Sequence, residues 1–160
     1  MNVRVAILTV SDSAAAGTRA DASGPALREH CLASGWDLTA ASVVPDELAS
    51  VAHAISHWAD SGVADLILTT GGTGLAPRDI TPEATRSVME REIPGIAELL
   101  RNKGLEQTKY SVLSRGLAGS RKQALIVNLP GSPAGALFSL KAIEHLILHS
   151  VNLLRGNTAH

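Results

Sequence analysis

Aromatic residues are scarce: Trp36, Trp58, Tyr110 and Phe138 are the only four in 160 positions. That excludes the stacked-ring platforms that hold single-stranded nucleic acid. Charge of one sign is lacking as well. Fourteen Lys and Arg stand against fifteen Asp and Glu, for a formal net charge of −1. No basic field draws the chain to nucleic acid or to a membrane surface. One cysteine, Cys31, excludes an internal disulfide framework and fits a reducing compartment. No run of roughly 18 consecutive apolar residues exists, so no membrane span is expected. The apolar start, Met1–Val10, is broken by Arg4 and runs into Ser11-Asp12-Ser13 without a signal-peptide cleavage site, so the cytoplasm is the expected location. At 160 residues the expectation is one domain over 1–160, large enough to bury roughly 70% of its unfolded surface.

What is present concentrates between Leu66 and Thr85. Leu66–Thr70 reads as a buried strand, Gly71-Gly72-Thr73-Gly74 as a glycine turn, and Leu75–Asp79 as an acidic loop. Glycine lacks a Cβ, so such a turn takes positive φ and brings backbone N–H groups close to a ligand. Thr81 suits an N-cap, Pro82 the first helical position, and Glu83 the positive end of the helix dipole. No Gly-Lys-Ser/Thr follows the turn and no Gly-x-Gly-x-x-Gly is formed, so it is neither a P-loop nor a dinucleotide fingerprint. By pattern alone it reads equally as a plain strand–turn–helix connection.

Elsewhere the chain alternates strand and helix. Strands are expected at Val3–Val10, Leu38–Val44, Asp65–Thr70 and Gln123–Leu129, and Ser11–Ser23 reads as a mobile loop. Helices are expected from Gly24-Pro25 to about Ser34, from Glu47 to about Asp60, from Pro82 to about Glu92, after Pro94-Gly95, and from Ala134 to about Leu154. Tyr110–Gly119 is expected to be helical in its first half. The fold class is therefore α/β, with a mostly parallel central sheet and helices on both faces. In such folds ligands bind at the carboxyl ends of the strands. Four polar or glycine-rich junctions follow strands here: Ser11-Asp12-Ser13, Pro45-Asp46, Gly71–Asp79 and Pro130–Pro133. Their shared rim favours one ligand site over four separate turns.

Asp46 and Asp79 are the acidic residues best placed on that rim. A carboxylate pair beside a phosphate-binding turn suits Mg²⁺. The plain alternatives make Asp46 the N-cap of the next helix, Asp79 a turn residue beside Thr81, and Asp12 part of a Ser-Asp-Ser turn. Ser114-Arg115 offers positive charge to an anionic substrate, whereas Arg121 and Lys122 read as solvated surface. His53/His57 and His145/His149 lie opposite the apolar stripes of their helices, lack a third ligand, and are expected in water. Cys31 is expected in the core. The last helix is apolar on more than one side, with Leu140, Ile143, Ile147, Val151 and Leu154 on one stripe and Phe138, Ala142, Leu146 and Leu153 beyond it. That surplus calls for a second partner, either a neighbouring helix of the same chain or another subunit.

In order and spacing, five segments resemble the Mog-type molybdopterin-binding proteins of molybdenum-cofactor biosynthesis, whose domain also occurs in plant Cnx-type proteins and gephyrin. They are Leu8–Ser13, Val44–Glu47, Thr70–Thr85, Leu113–Arg115 and Asn128–Pro133, and the resemblance covers almost the whole chain. It implies a three-layer α/β/α sandwich assembling as a homotrimer. It implies an adenylyltransferase that moves AMP from ATP to the terminal phosphate of molybdopterin, with Mg²⁺ and release of pyrophosphate. Asp46 and Asp79 then become the catalytic, metal-handling pair. Ser11, Asp12, Ser13, Thr70, Gly71, Gly72, Thr73, Gly74, Ser114, Pro130, Gly131, Ser132 and Pro133 become pterin and nucleotide contacts. Molybdopterin-synthase and molybdenum-insertion proteins are the implied partners. A sister group, the MoaB-type proteins, shares the fold and includes members that bind pterin without clear transferase activity.

Overall fold

The computed structural model describes residues 2–159. Its strands are β1 (Arg4–Val10), β2 (Asp37–Val44), β3 (Leu66–Thr70), β4 (Arg91–Glu92), β5 (Ala118–Arg121) and β6 (Ala124–Leu129). Its α-helices are α1 (Asp12–Ala15), α2 (Ser23–Ala33), α3 (Leu48–Asp60), α4 (Thr81–Val88), α5 (Pro94–Gly104) and α6 (Pro133–Leu154), with a 3₁₀ turn at Lys109–Leu113. One sheet runs in the order β2-β1-β3-β6-β5-β4. The first four strands are parallel, and β5 and β4 are antiparallel additions at one edge.

Side-chain alternation along the strands makes two cores. Val5, Ile7, Leu66, Leu68, Leu125 and Val127 face Leu27 and Cys31 of α2, Ile96 of α5, and Leu140, Ile143 and Ile147 of α6. Ala6, Leu8, Ile67 and Ile126 face Val51, Ile55 and Ala59 of α3 and Ala84 of α4. The three central strands are buried on both faces, which is why they are continuous aliphatic runs. From β1 the chain crosses to β2 on one side and then returns to β3 on the other. The loops after β1 and β3 therefore part company at their carboxyl ends and open a crevice.

Several expectations are corrected. The Ser11–Ser23 segment is not all loop: Ser11 caps α1, its Oγ accepting from the Ala14 N–H at 3.2 Å. The helix from Pro82 stops at Val88, because Arg91–Glu92 turns extended to pair with Gly119 and Ser120. The first half of Tyr110–Gly119 is helical as expected, within the 3₁₀ turn, and Ala118-Gly119 begins β5, which a tight Lys122–Gln123 turn joins to β6. Gly119 allows that edge to form, since a Cβ there would stand 2.5 Å from the Arg91 carbonyl oxygen. Ile80, not Thr81, is the N-cap of α4. The apolar surplus of α6 is largely absorbed within the chain: Leu137, Leu146 and Leu154 pack against the core, while Leu148 and Leu153 stay exposed. By length and mean hydropathy alone α6 is apolar enough to cross a membrane, although the sequence holds no uninterrupted apolar run of that length. It lies instead on β3 and β6, between α2 and α5.

Candidate functional site

Two cavities adjoin at the carboxyl rim of the sheet. The first, of about 440 Å³, is lined by Thr9, Ser11, Arg19, Asp21, Asp46, Thr70, Gly71, Gly72, Asp79 and Gly131–Pro133, among others. The second, of about 470 Å³, is lined by Thr73, Gly74, Leu100, Tyr110, Leu113, Ser114, Asn128 and Pro130, among others. Ser132 borders both, so the glycine turn and the start of α6 form the wall between them.

The glycine turn is shaped by close approaches. Gly71 has φ +102° and Gly72 φ +68°, and a Cβ on Gly71 would meet the Val10 carbonyl oxygen at 2.3 Å. Thr81, buried at the first position of α4, fastens the turn: its Oγ1 donates to the Gly71 carbonyl at 2.9 Å and its N–H to the Gly72 carbonyl at 3.1 Å. A neighbouring loop is held by Thr70, whose Oγ1 donates to the Pro130 carbonyl at 2.7 Å.

Asp46 does not cap α3, whose N-cap is Glu47 with no side-chain cap bond. Asp46 and Asp12 instead exchange bonds across 34 residues: the Asp12 N–H donates to Asp46 Oδ2 at 2.8 Å, and the Asp46 N–H to Asp12 Oδ1 at 3.0 Å. The other carboxylate oxygen, Asp46 Oδ1, lies beside Gly72, 3.1 Å from where a Cβ would stand. Burial pushes the Asp46 carboxyl above its ordinary value. The Asp12 N–H opposes that rise, and the negative charges of Asp12 and Asp79 add to it. Such a carboxylate fits a divalent cation, which relieves both its burial and its like-charged neighbours. Asp79 lines the same cavity, its Oδ2 accepting from the Ala76 N–H at 2.9 Å and lying 2.8 Å from a Cβ built on Gly74. Among the described residues, no group of three or more His, Cys, Asp or Glu could hold a metal ion, so a cation here rests on the two carboxylates.

Asp12 lines neither cavity. Arg78 forks onto it, Nε to Oδ2 at 2.6 Å and Nη2 to Oδ1 at 3.0 Å, and this guanidinium holds its carboxyl below the usual range. Ser13 bonds to the Ser11 hydroxyl at 3.2 Å, outside both cavities. Arg115 is turned away from the cavities onto the glycine loop, and Arg121 is spent on Asp60. His53 and His57 are exposed and stacked on each other. His145 and His149 are also exposed, as expected from their helix faces. Arg19 was missed by the sequence reading. It is the cation that lines the first cavity, carried on the loop after α1. A lone arginine in a small, polar loop gives no periodic signal by which to find it. Asp21, also missed, precedes Ala22, the N-cap of α2: its Oδ1 accepts from the Gly24 N–H at 3.0 Å and its Oδ2 from the Thr9 hydroxyl at 2.8 Å.

A family model described as a probable molybdopterin binding domain matches residues 6–149. The chain belongs to that family. Among the family's curated proteins, the molybdopterin adenylyltransferase of Helicobacter pylori J99 is 38% identical over 159 residues, 97% of this chain and 89% of its own. The molybdenum cofactor synthesis protein cinnamon of Drosophila melanogaster is 38% identical over 96% of this chain, which spans only 26% of that longer protein. In structure the chain matches the molybdopterin biosynthesis enzyme MoaB of Thermus thermophilus, with a TM-score of 0.90 and 49% identity, covering 96% of this chain and 97% of that one. The six-stranded, mostly parallel α/β architecture is thus the family's fold.

Proposed function

We propose that the protein is a molybdopterin adenylyltransferase, transferring AMP from ATP to the terminal phosphate of molybdopterin with release of pyrophosphate. The observation that carries this reading is the placement of Asp46 and Asp79 in one cavity, their carboxylates beside Gly72 and Gly74 of the glycine turn. That cavity also carries positive charge, beside the carboxylate of Asp21. Ala22 and Ser23 at the start of α2, and Ser132 and Pro133 at the start of the 22-residue α6, line it together with Arg19. Helix N-termini carry partial positive charge and favour phosphate oxygens. Carboxylates and these positive groups in one cavity suit a metal–polyphosphate.

In this reading Asp46 and Asp79 would hold Mg²⁺, which would supply neutralisation of phosphate charge. Gly71 and Gly72 give the turn a shape that a Cβ would forbid by colliding with the Val10 carbonyl oxygen and Thr81; in this reading that turn cradles the phosphates, Ser11 supplies a hydroxyl beside them, and Thr70 holds the Pro130 loop in place. The second cavity, with Leu100, Tyr110 and Leu113 around Ser114 and Asn128, takes a planar ring of one substrate. Ser132, common to both, stands where the two substrates meet. No side chain is needed as a covalent carrier, since the pterin's terminal phosphate is itself the nucleophile. Asp12 and Ser13 serve as loop bracing in this scheme. The reading further includes one domain, a homotrimer, a cytoplasmic location and hand-over between molybdopterin-synthase and molybdenum-insertion proteins.

A second reading, a MoaB-type pterin-binding module without transfer, is favoured by the higher identity to the Thermus MoaB. Purified protein given molybdopterin, ATP and Mg²⁺ decides between them. Release of pyrophosphate that depends on both Asp46 and Asp79 is expected. Its absence, under conditions where an adenylyltransferase relative turns over, leaves the module. Light scattering should give about three times the 16.6 kDa chain mass, and a monomer at micromolar concentration removes the trimer.

A further inference from the structure

The arginine of Leu113-Ser114-Arg115 has a geometry that substrate binding does not explain. Its side chain reaches back to the glycine loop, where Nε donates to the Gly74 carbonyl at 2.8 Å and Nη2 to the Asp79 carbonyl at 2.8 Å. The third nitrogen, Nη1, pairs with the Glu83 carboxylate in the first turn of α4. The Arg115 backbone N–H adds a bond to the Thr73 carbonyl at 2.9 Å. One guanidinium therefore closes the Gly74–Asp79 segment at both of its ends. Leu75, Ala76, Pro77 and Arg78 in between are all exposed. Their remaining ties are the Asp79 carboxylate on the Ala76 N–H, the Asp79 N–H on the Ala76 carbonyl at 2.9 Å, and the exposed fork from Arg78 to Asp12.

An exposed loop of this length has little packing of its own to fix one conformation, and an exposed ion pair contributes little order. A planar guanidinium with five N–H donors in a rigid fork matches two carbonyls and a carboxylate at once; a lysine ammonium on a flexible stem does not. From this geometry we infer that Arg115 is a positioning residue, a clamp that holds Asp79 in the cavity it shares with Asp46 and so sets the cation affinity of the pair. This deepens the proposed reading of Asp79 as a metal-handling residue and rests on it. Arg115 touches no substrate in this role. Its loss acts on metal affinity and turnover and leaves nucleotide affinity alone.

The test uses the full chain and Mn²⁺ as the probe, followed by paramagnetic resonance, with hydrogen exchange as a second readout. R115K is the main variant, because it keeps the charge and the stem that a folding defect would need to lose. Loss of an outer residue that orients a metal ligand typically weakens metal binding by 10–100-fold. Expected for R115K are an Mn²⁺ dissociation constant raised about tenfold and a KM for ATP within about twofold of wild type. Faster exchange should be confined to residues 74–80, with unchanged protection in β1, β3 and β6. In an Asp79→Asn background, R115K should add no further loss of Mn²⁺ affinity, since the ligand it positions is gone. Glu83→Gln should bind Mn²⁺ like wild type, because the two carbonyl bonds remain.

Wild-type Mn²⁺ affinity in R115K, beside a weakened Asp79→Asn, overturns the clamp. An R115K loss that adds in full on Asp79→Asn makes Arg115 a direct contact and overturns it too. The full defect in Glu83→Gln shifts the effect to the exposed ion pair and likewise overturns the clamp. If Asp79→Asn itself binds Mn²⁺ as wild type does, the metal reading of Asp79 falls on that arm alone. The exchange readout still decides whether Arg115 orders the loop, and unchanged exchange there refutes the clamp independently.

Discussion

Replacing Asp46 by asparagine separates function from stability at the site. Asparagine keeps an oxygen to accept from the Asp12 N–H, a bond of 2.8 Å in the native protein, and leaves the Asp46 backbone donor in place. What it removes is a charge that burial and the negative Asp12 and Asp79 make costly. A carboxyl whose pKa is raised on folding binds protons more tightly in the native state, so its contribution to stability falls as pH rises through that raised value. At neutral pH the variant should therefore be at least as stable as wild type, by up to about 0.5 kcal/mol, the scale of exposed-loop substitutions. For a chain of this size that is an upward shift of roughly 1–2 °C in melting temperature. The advantage should be full above the raised pKa and vanish below the ordinary carboxylate value, where both proteins carry a neutral group. Turnover should fall by at least about tenfold, as losing a metal ligand costs no less than losing an outer partner. Paired thermal melts from pH 3 to 8 and pyrophosphate release at neutral pH read both quantities. An Asp46→Asn protein destabilised by more than about 1 kcal/mol, yet fully active, would mean the carboxylate is a structural brace.

Gly71→Ala should cost about 3 kcal/mol, the sum of a left-handed alanine and a displaced strand backbone, because its Cβ would stand 2.3 Å from the Val10 carbonyl oxygen; an unchanged urea midpoint would contradict this. Asp65 is 1% exposed and bonded to Arg4 and Arg155. Burial pushes its carboxyl up, but the bonds from Arg4 and Arg155 outweigh it and hold the group below its usual range. Its stabilising contribution is present above the unfolded carboxylate value and lost as pH falls through the depressed one. Asp65→Asn should remove about 3 kcal/mol at neutral pH and flatten the acid limb of the stability curve; unaltered acid unfolding would dismiss the network. Burial, with the negative charge of Glu144, pushes the Cys31 thiol up to about 12. A thiol reagent at pH 8 should thus find no reactive group until denaturant is added; rapid labelling of the native protein would show the helix packing to be open.

The elements that were legible from sequence are those whose burial is written into local pattern. β1, β3 and β6 are aliphatic runs because both their faces are covered, and the α3 stripe of Val51, Ile55 and Ala59 repeats at helical spacing. The rim junctions were legible because they are glycine and aspartate following strands. β4 and β5 were not. Arg91-Glu92 and Ala118-Gly119-Ser120 have no strand signature, and they become strands only because the backbone of one closes onto the glycine of the other. Local capping rules pointed to Asp46 on its own helix and to Thr81 as a cap. In both cases a partner distant in sequence, the Asp12 N–H or the Gly71 carbonyl, takes the side chain instead. Arg115 was visible as a charge, but its direction is set by carbonyls 36 and 41 residues away.

Arg4 at the start of β1 and Arg155 at the end of α6 bind the same carboxylate, Asp65, at the amino end of the parallel strands. The two cavities open at the other end. Polypeptide attached before Arg4 or after Arg155 therefore leaves the domain from one spot, behind the site rather than across its mouth. Such a unit can be spliced into a longer protein like a bead on a string, with neither connection obstructing the crevice. The Drosophila protein cinnamon, of which this chain spans 26%, is a longer protein that such an arrangement would suit.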